Sequence, residues 1–293
     1  MKKLYVVVPA FLFVFASVCA QNDSASQPGD TIPTKQPETK EIKKERPKEV
    51  YTLKPGVDIP VTAIGTAWSL YGFTQIYSKD ASSEESVLAL KKSDVNGFDR
   101  WAIRPHSKRL DDLSYIPFYA SMPLPVLFLF DKRMRKDMGK LSFMYLEAMS
   151  ITGLLYTGST FLTNRYRPYV YSEETPLETR TRGGGKNSFY AGHVALVATS
   201  TFFMAQVYAD YYPESKMKWV YYGLATAATG ATAWWRHRGG FHFPSDILLG
   251  ITQGTLTGLL VPRLHRTKLI KNSNLTIIPF TGLSHGLAAT YKL

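Results

Sequence analysis

The stretch Arg236-His-Arg-Gly-Gly-Phe-His-Phe-Pro-Ser-Asp246 carries the most information in this chain. It places Arg236, His242 and Asp246 in the spacing Arg-x5-His-x3-Asp. A histidine and an aspartate four residues apart face the same side when both lie on a helix. A guanidinium offers a planar fork of N–H donors that suits phosphate. The pattern therefore predicts a histidine that a carboxylate orients while the imidazole works beside an oxyanion.

Two further blocks precede this stretch, Arg165-Tyr-Arg-Pro168 and Ser188-Phe-Tyr-Ala-Gly-His193. Apolar segments separate the three blocks. Their order resembles the type 2 phosphatidic acid phosphatase superfamily, which also includes bacterial acid phosphatases and vanadium haloperoxidases. The signatures of that family run Lys-x6-Arg-Pro, Pro-Ser-Gly-His and Ser-Arg-x5-His-x3-Asp. The resemblance covers roughly residues 140 to 262.

The chain departs from the family pattern in each block. Thr160 stands at the position of the family's lysine, and Trp235 at the position of a serine. Tyr190 and Ala191 replace the proline and serine that precede Gly-His. Thr160 thus removes a cation, and Ala191 removes a hydroxyl that the family uses on phosphate. Losing one such contact costs about 10- to 1000-fold in rate, by analogy with oxyanion-hole deletions.

Three residues near these positions are candidates to replace the lost cation and the lost hydroxyl. Lys186 or Arg165 would supply replacement charge, and the hydroxyl of Ser188 would reach the phosphate. The arginine, histidine and aspartate of the three blocks are all retained, which favours an active enzyme over an impaired scaffold of the same fold.

The resemblance implies a role for each retained residue. His242 is the nucleophile and forms a covalent phosphohistidine, for which its attacking nitrogen must be neutral. Asp246 accepts the proton of the other ring nitrogen in a hydrogen bond and fixes the tautomer. His193 is the general acid. Because the two histidines start in opposite protonation states, a bell-shaped pH profile is expected.

The resemblance also implies how the phosphate is held. Arg167 and Arg236 clamp its oxygens, and the amides of Gly192 and His193 add donors at the start of a helix. The sequence has neither an Asp-rich set nor a His-x-His pair with a carboxylate. It therefore predicts a metal-independent reaction, with no metal site and no cofactor.

Composition limits the partners. The chain has 293 residues, is 45% hydrophobic and carries a formal net charge of +12. A basic excess favours anionic partners, either phosphate groups or an anionic membrane surface. No nucleic-acid motif occurs, and no obligatory protein partner is indicated.

The chain divides into four parts by composition. Residues 1–20 combine lysines, an apolar run and a small residue, which predicts a signal peptide cleaved after Ala20; an uncleaved anchor is the alternative. Residues 21–57 are polar and proline-rich, which predicts a disordered tether. Residues 58–270 form the predicted phosphatase domain, and 271–293 a tail of two short strands, Leu275–Phe280 and Leu287–Leu293.

Six apolar stretches predict an all-α bundle of about six core helices that is embedded in a membrane. Their lengths lie at the lower edge for a membrane span, and a soluble helical bundle is the alternative. The stretches are 61–78, 114–130, 142–163, 194–211, 218–235 and 247–262.

Loop charges predict the orientation of the bundle. Basic residues at 131–140 and 263–271 lie on one side if the last five stretches span, and the motif blocks lie on the other. By the positive-inside tendency the motifs then face the periplasm of a bacterial cell envelope. The stretch 61–78 would invert this order after a cleaved signal peptide, so it is expected to lie on or beside the membrane without crossing.

The predicted function is hydrolysis of a phosphoric monoester or pyrophosphate, with a membrane lipid as the expected substrate. A soluble periplasmic nonspecific acid phosphatase is the alternative that keeps the chemistry. A haloperoxidase is a third alternative, since vanadate resembles the phosphoryl transition state, although family members with that activity are usually longer. The sequence does not identify the ester.

Overall fold

A computed structural model describes the backbone of residues 49–267, 275–281 and 285–291, with side chains for 49–267. The predicted signal peptide and most of the predicted tether lie outside these residues. The described part has eight α-helices: α1 (Pro55–Tyr77), α2 (Glu84–Leu88), α3 (Lys108–Ser121), α4 (Met138–Leu162), α5 (Leu177–Thr181), α6 (Gly192–Tyr211), α7 (Met217–Arg238) and α8 (Pro244–Leu264). Short 3-10 turns lie at Lys92–Asp94, Arg100–Ala102, Leu124–Phe130, Met134–Asp137, Pro168–Tyr171 and Gly183–Lys186.

The all-helical bundle predicted from the sequence is confirmed. Five of the six apolar stretches lie in single long helices, namely α1, α4, α6, α7 and α8. The stretch 114–130 is broken, because α3 ends at Ser121 and a 3-10 turn begins after Pro123. Proline has no N–H to continue the α-helical ladder, which accounts for the change of helix type there.

Helix α6 lies at the centre of the bundle and packs against α3, α4, α7 and α8. Its residues Val194–Ser200 are all buried. A helix that is apolar on all sides belongs in a core. The first turn of α6, with His193, is therefore held by neighbours on several sides.

Small residues let α8 approach α6 closely. Gly250, Gly254 and Gly258 recur at four-residue spacing on α8, and each faces the backbone of α6. A Cβ atom at Gly254 would lie 2.3 Å from the carbonyl oxygen of Ala195. Glycines at this spacing allow two helix backbones to come together. The close approach sets the start of α8 beside the start of α6.

Replacing Gly254 by alanine is expected to destabilise the protein by about 1–3 kcal/mol, because the methyl group overpacks the α6–α8 contact. The matched control is Gly223→Ala on α7, where a Cβ would meet nothing within 4 Å. That change should be neutral or stabilise by about 0.5–1 kcal/mol, since alanine favours the helix. Thermal unfolding of both variants in detergent, followed by circular dichroism, checks the difference. Equal melting temperatures would contradict the close packing.

Helices α1 and α4 pack side by side and run in the same direction. Gly65 contacts Ser150, and Gly72, further along α1, contacts Thr157, further along α4. Side chains on the other side of α1 are exposed and apolar, among them Ile64 and Leu70. If α4 crosses a membrane, α1 crosses it in the same direction. This differs from the prediction that 61–78 does not cross.

The predicted tether ends earlier than the sequence suggested. Tyr51 is fully buried, and its hydroxyl donates to Asp210 Oδ2 over 2.8 Å. Backbone bonds join Thr52 N to His265 O and Thr267 N to Val50 O. One buried aromatic ring and these bonds fasten the segment before α1 to the end of α8. The boundary predicted at residue 57 therefore does not hold.

Two strands follow the helices. β1 (Leu275–Thr281) pairs with β2 (His285–Tyr291) in antiparallel register, with Leu275 opposite Tyr291. Their side chains lie outside the described residues.

Two segments have the length and composition to cross a membrane, Lys108–Phe130 and Pro244–Leu264, among the residues that the structure describes. They have mean hydropathies of 1.5 and 1.3. Their composition suggests membrane association.

Candidate active site

Backbone hydrogen bonds bring the three motif blocks together at one end of the bundle. Ser188 N donates to Arg165 O over 3.1 Å, which joins the first block to the second. Ala191 N donates to Asp246 O over 3.2 Å, and Tyr169 N to Gly240 O over 3.0 Å. The third block is thus joined to both of the others, and the convergence predicted from the order of the motifs is present.

His242 lies in the short loop between α7 and α8 and is almost completely buried. Gly240 makes the turn into this loop with φ of +79°, a conformation that favours glycine. His242 Nδ1 lies 2.7 Å from the carbonyl oxygen of Ser188. Because a carbonyl only accepts hydrogen bonds, Nδ1 carries the proton, and Nε2 keeps the lone pair that a nucleophile needs.

The hydrogen-bond partner of His242 Nδ1 is a backbone carbonyl and not the predicted carboxylate of Asp246. Asp246 is fully buried, and its carboxylate accepts from Ser188 Oγ at 2.6 Å, from Phe243 N at 2.9 Å and from Arg165. Asp246 stands in the first turn of α8, where a carboxylate bonds back to a free amide of the helix start. Within residues 49–267, the imidazole of His242 is not among the hydrogen-bond partners of this carboxylate. The Ser188 carbonyl therefore fixes the tautomer, and Asp246 positions His242 through Ser188.

This arrangement also changes the expected role of Ser188. A hydroxyl has a single O–H to donate, and Ser188 gives it to Asp246 rather than to a phosphate oxygen. The residue is fully buried. Ser188 is thus a positioning residue whose carbonyl and hydroxyl link His242 to Asp246.

Arg165 is engaged by two carboxylates and does not replace the missing lysine. Its guanidinium binds Asp246 and, over 2.7 Å, Asp99 Oδ2. Ser245 Oγ donates to the same carboxylate of Asp99 over 2.6 Å. Burial opposes ionisation of Asp99, but hydrogen bonds from Ser245, Asn96 and Arg165 hold its pKa below the usual range. The charge of Arg165 is therefore neutralised inside the protein.

Two guanidinium groups flank the ring of Phe241. Arg236 lies 4.1 Å and Arg167 5.2 Å from the ring centroid. Arg236 is 1% exposed and pairs with Asp111. The Nε atoms of both arginines are buried and have no acceptor in residues 49–267. Buried N–H groups normally have partners, so this pair calls for an anion.

His193 stands in the first turn of α6, beside α3. Its ring packs against the rings of Tyr115 and Phe118, each with a centroid 4.7 Å away. The N-cap residue Ala191 has no side chain to bond the first amides of α6, those of Gly192 and His193 among them. Three rings in contact leave the imidazole little freedom to turn.

The surroundings of His242 keep its imidazole neutral. Burial lowers the pKa of His242 well below its usual value, and the positive charges of Arg236 and Arg167 lower it further. His193 acts on it in the same direction. The predicted nucleophile is thus favoured in its neutral form. Burial and the same two arginines also lower the pKa of His193 well below its usual value, so the surroundings favour a neutral ring in both histidines rather than the opposite protonation states that the sequence suggested.

Replacing Arg167 by glutamine is expected to move the acidic limb of the kcat/KM profile to higher pH. Removing a neighbouring cation raises the pKa of His242, so more of the imidazole is protonated, and inactive, at a given acidic pH. The measurement is kcat/KM against pH for wild type and Arg167→Gln, each normalised to its maximum. An acidic limb that stays in place or moves down would show that another group controls it.

Residues 141–270, which contain all three blocks, match the family model described as the PAP2 superfamily. These residues are similar to that family and are called the PAP2 domain below. The family implies a phosphatase hydrolase. No curated protein matches the chain in sequence. Among solved structures, the first transmembrane PAP2-type phosphatidylglycerolphosphate phosphatase, from Bacillus subtilis, is similar at 16% identity with a TM-score of 0.40, over 71% of this chain and 94% of that one.

A lysine from outside the PAP2 domain stands beside the position where the family lysine is missing. Thr160 is buried, and Lys79 Nζ donates to its carbonyl oxygen over 2.8 Å. Burial and the neighbouring ammonium of Lys186 lower the pKa of Lys79. Both lysines line a cavity of about 320 Å³. Lys186 therefore has a second cation as its neighbour, and its binding of phosphate stays a prediction.

Several residues of this site carry no signal in the sequence. Asp99 and Asp111 precede the PAP2 domain, and each pairs with a motif-block arginine. Tyr115 and Phe118 belong to an ordinary apolar stretch. No fixed spacing ties these residues to the motifs, so only their contacts reveal them.

Proposed function

We propose that the PAP2 domain hydrolyses a phosphate ester of a membrane lipid through a phosphohistidine on His242. One observation carries the proposal. Within residues 49–267, the buried Nε–H groups of Arg167 and Arg236 lack acceptors, in a site where Nε2 of His242 keeps its lone pair. A phosphate accepts hydrogen bonds from guanidinium groups and presents phosphorus to a nucleophile.

The first step is in-line displacement at phosphorus. Nε2 of His242 forms a bond to phosphorus, and the bond from phosphorus to the leaving oxygen breaks. His193, which takes up a proton when the negative charge of the bound phosphate raises its pKa, gives that proton to the leaving oxygen, so that an alcohol leaves. The charge on the equatorial oxygens is stabilised by Arg167 and Arg236 and by the first amides of α6.

The second step releases inorganic phosphate. His193, now neutral, takes a proton from water, and the water oxygen attacks phosphorus as the bond to Nε2 breaks. Ser188 keeps the proton of His242 on Nδ1 throughout, so the same nitrogen serves as nucleophile and leaving group.

The surface beside His193 supports a lipid substrate. Helix α3 turns Tyr115 and Phe118 towards His193 and exposes the apolar side chains Ile116 and Tyr119. It belongs to the segment Lys108–Phe130, one of the two with the composition of a membrane span. One helix thus borders both the site and the apolar surface, which suits an acyl chain lying outside while the headgroup enters.

The basic end of the bundle supports an orientation with the site facing the periplasm. The start of α4 and the ends of α6 and α8 lie opposite the motif blocks. Basic side chains collect there in the segments 132–140 and 263–266. Such clusters favour the cytoplasmic side of a membrane.

A phosphate-release comparison tests the function. The full chain, purified in detergent, is given phosphatidic acid, phosphatidylglycerol phosphate and an isoprenyl pyrophosphate in mixed micelles, with p-nitrophenyl phosphate as the soluble ester. We expect a higher kcat/KM for at least one lipid than for the soluble ester, and inhibition by vanadate. Preference for the soluble ester would indicate a general acid phosphatase. No release from any substrate would indicate a scaffold.

A further inference from the structure

Three side chains of ligand type meet inside the bundle, far from the phosphatase site. Asp58 lies in the first turn of α1, Glu147 in α4, and His265 directly after α8. All three are buried. Thr160 lies thirteen positions after Glu147 in α4, which is about 20 Å at the rise of an α-helix. The group therefore belongs to the opposite end of the bundle.

The imidazole of His265 is held in one tautomer. Its Nδ1 lies 2.7 Å from the carbonyl oxygen of Val261. Because that oxygen can only accept, Nδ1 carries the proton of a neutral ring and Nε2 presents a lone pair. A backbone carbonyl on one imidazole nitrogen is a common support for a histidine whose other nitrogen binds a metal.

Nε2 of His265 faces two carboxylates without a hydrogen bond to either. Asp58 Oδ2 lies 3.2 Å and Glu147 Oε2 3.4 Å away. Among residues 49–267, Glu147 Oε2 and His265 Nε2 are both buried atoms without a partner. A lone pair and two anionic oxygens in a buried place require a positive charge between them.

The separations suit a shared ion. In a tetrahedral zinc site with bonds of about 2.0–2.2 Å, neighbouring ligand atoms lie about 3.3–3.6 Å apart. The separations from Nε2 to the two oxygens are 3.2 and 3.4 Å. All three ligand atoms lie within 4.8 Å of one another. The oxygen of Asp58 also accepts from Lys54 N, which orients the carboxylate from behind.

We propose that Asp58, Glu147 and His265 bind a divalent transition-metal ion, preferentially Zn²⁺. One imidazole and two carboxylates suit zinc, whereas Mg²⁺ and Ca²⁺ prefer oxygen ligands alone. The ion joins the start of α1, the middle of α4 and the end of α8. It is a structural site that the spacing of residues in the sequence does not suggest, and it is independent of the phosphatase chemistry.

The first experiment is a metal titration of the full chain. The protein is purified without a histidine tag, stripped with EDTA, and titrated calorimetrically with ZnCl₂ and, separately, with MgCl₂. We expect one tight zinc site per chain and no comparable magnesium binding. X-ray absorption should show one imidazole nitrogen and oxygen ligands at about 2.0–2.2 Å. Absence of a one-to-one zinc site would overturn the proposal.

The second experiment assigns the ligands. Glu147→Gln keeps the shape of the side chain and removes its charge, and should raise the Kd for zinc by at least about tenfold. The matched control is Glu178→Gln, because Glu178 is exposed on α5 and should leave the Kd unchanged. Equal Kd values for the two variants would overturn the assignment. If Glu147→Gln does not fold, the wild-type absorption spectrum decides, since two or more imidazoles, or none, would exclude this ligand set.

Discussion

Replacing His242 by alanine is expected to lower kcat/KM for phosphate release by about 10⁴-fold or more, because the variant has no atom to form the covalent intermediate. The loss should be the same for every substrate, since the nucleophile is needed whatever the leaving group. The measurement is kcat/KM for a lipid phosphate and for p-nitrophenyl phosphate. Phosphohistidine is labile in acid. The phosphorylated intermediate of the wild type should therefore be trapped under alkaline conditions.

His193→Ala provides the internal comparison. Loss of a general acid costs about 10²–10⁴-fold, and the cost falls when the leaving group departs without a proton. We therefore expect a larger loss for the lipid phosphate, whose leaving group is an alkoxide, than for p-nitrophenyl phosphate. The assignment of the two roles would be wrong if the loss in His242→Ala depended on the leaving group. It would also be wrong if the loss in His193→Ala were equal for both substrates.

Replacing Arg236 by lysine is expected to lower kcat/KM by about 10²–10³-fold although the positive charge is retained. Lysine can still pair with Asp111, but it has no Nε–H directed into the site and no planar group to lie on Phe241. The kinetic constants of Arg236→Lys and its inhibition constant for vanadate are the measurements. The value of kcat/KM should fall and the inhibition constant for vanadate should rise together, because vanadate occupies the position of the transferred phosphoryl group.

The matched control for that change lies two residues further along the same helix. Arg238 is exposed and its guanidinium lies over Trp234 rather than Phe241. Arg238→Lys should leave the kinetic constants close to those of the wild type. An equal loss in both variants would mean that the end of α7 tolerates no change, and would remove the support for a specific clamp.

The helices were predictable because each stretch is apolar over its whole length, and the convergence of the motifs because their order is a strong pattern. The spacing of His242 and Asp246 predicted a hydrogen bond between their side chains, and residues 49–267 do not contain it. That spacing assumes one continuous helix, whereas α8 begins at Pro244, between the two residues. The carboxylate consequently caps the new helix, and a backbone carbonyl takes its place beside the imidazole.

The carboxylates that pair with the arginines could not be predicted from the sequence, for a different reason. Asp99 and Asp111 come from loops and helices before the PAP2 domain, far from Arg165 and Arg236 along the chain. Residue pairs that are so far apart along the chain produce no periodic pattern in the sequence. The same holds for Asp58 and His265, which lie at opposite ends of the described helical region.

The parallel course of α1 and α4 fixes which ends of the polypeptide are neighbours in a bilayer. Residue 54 and residue 266 then emerge from the same leaflet, and Arg165 from the other. Reporter enzymes fused ahead of α1 and behind α8 should give matching signals. A bundle whose catalytic face looks outward would consequently present both ends of its described helical region to the cytosol.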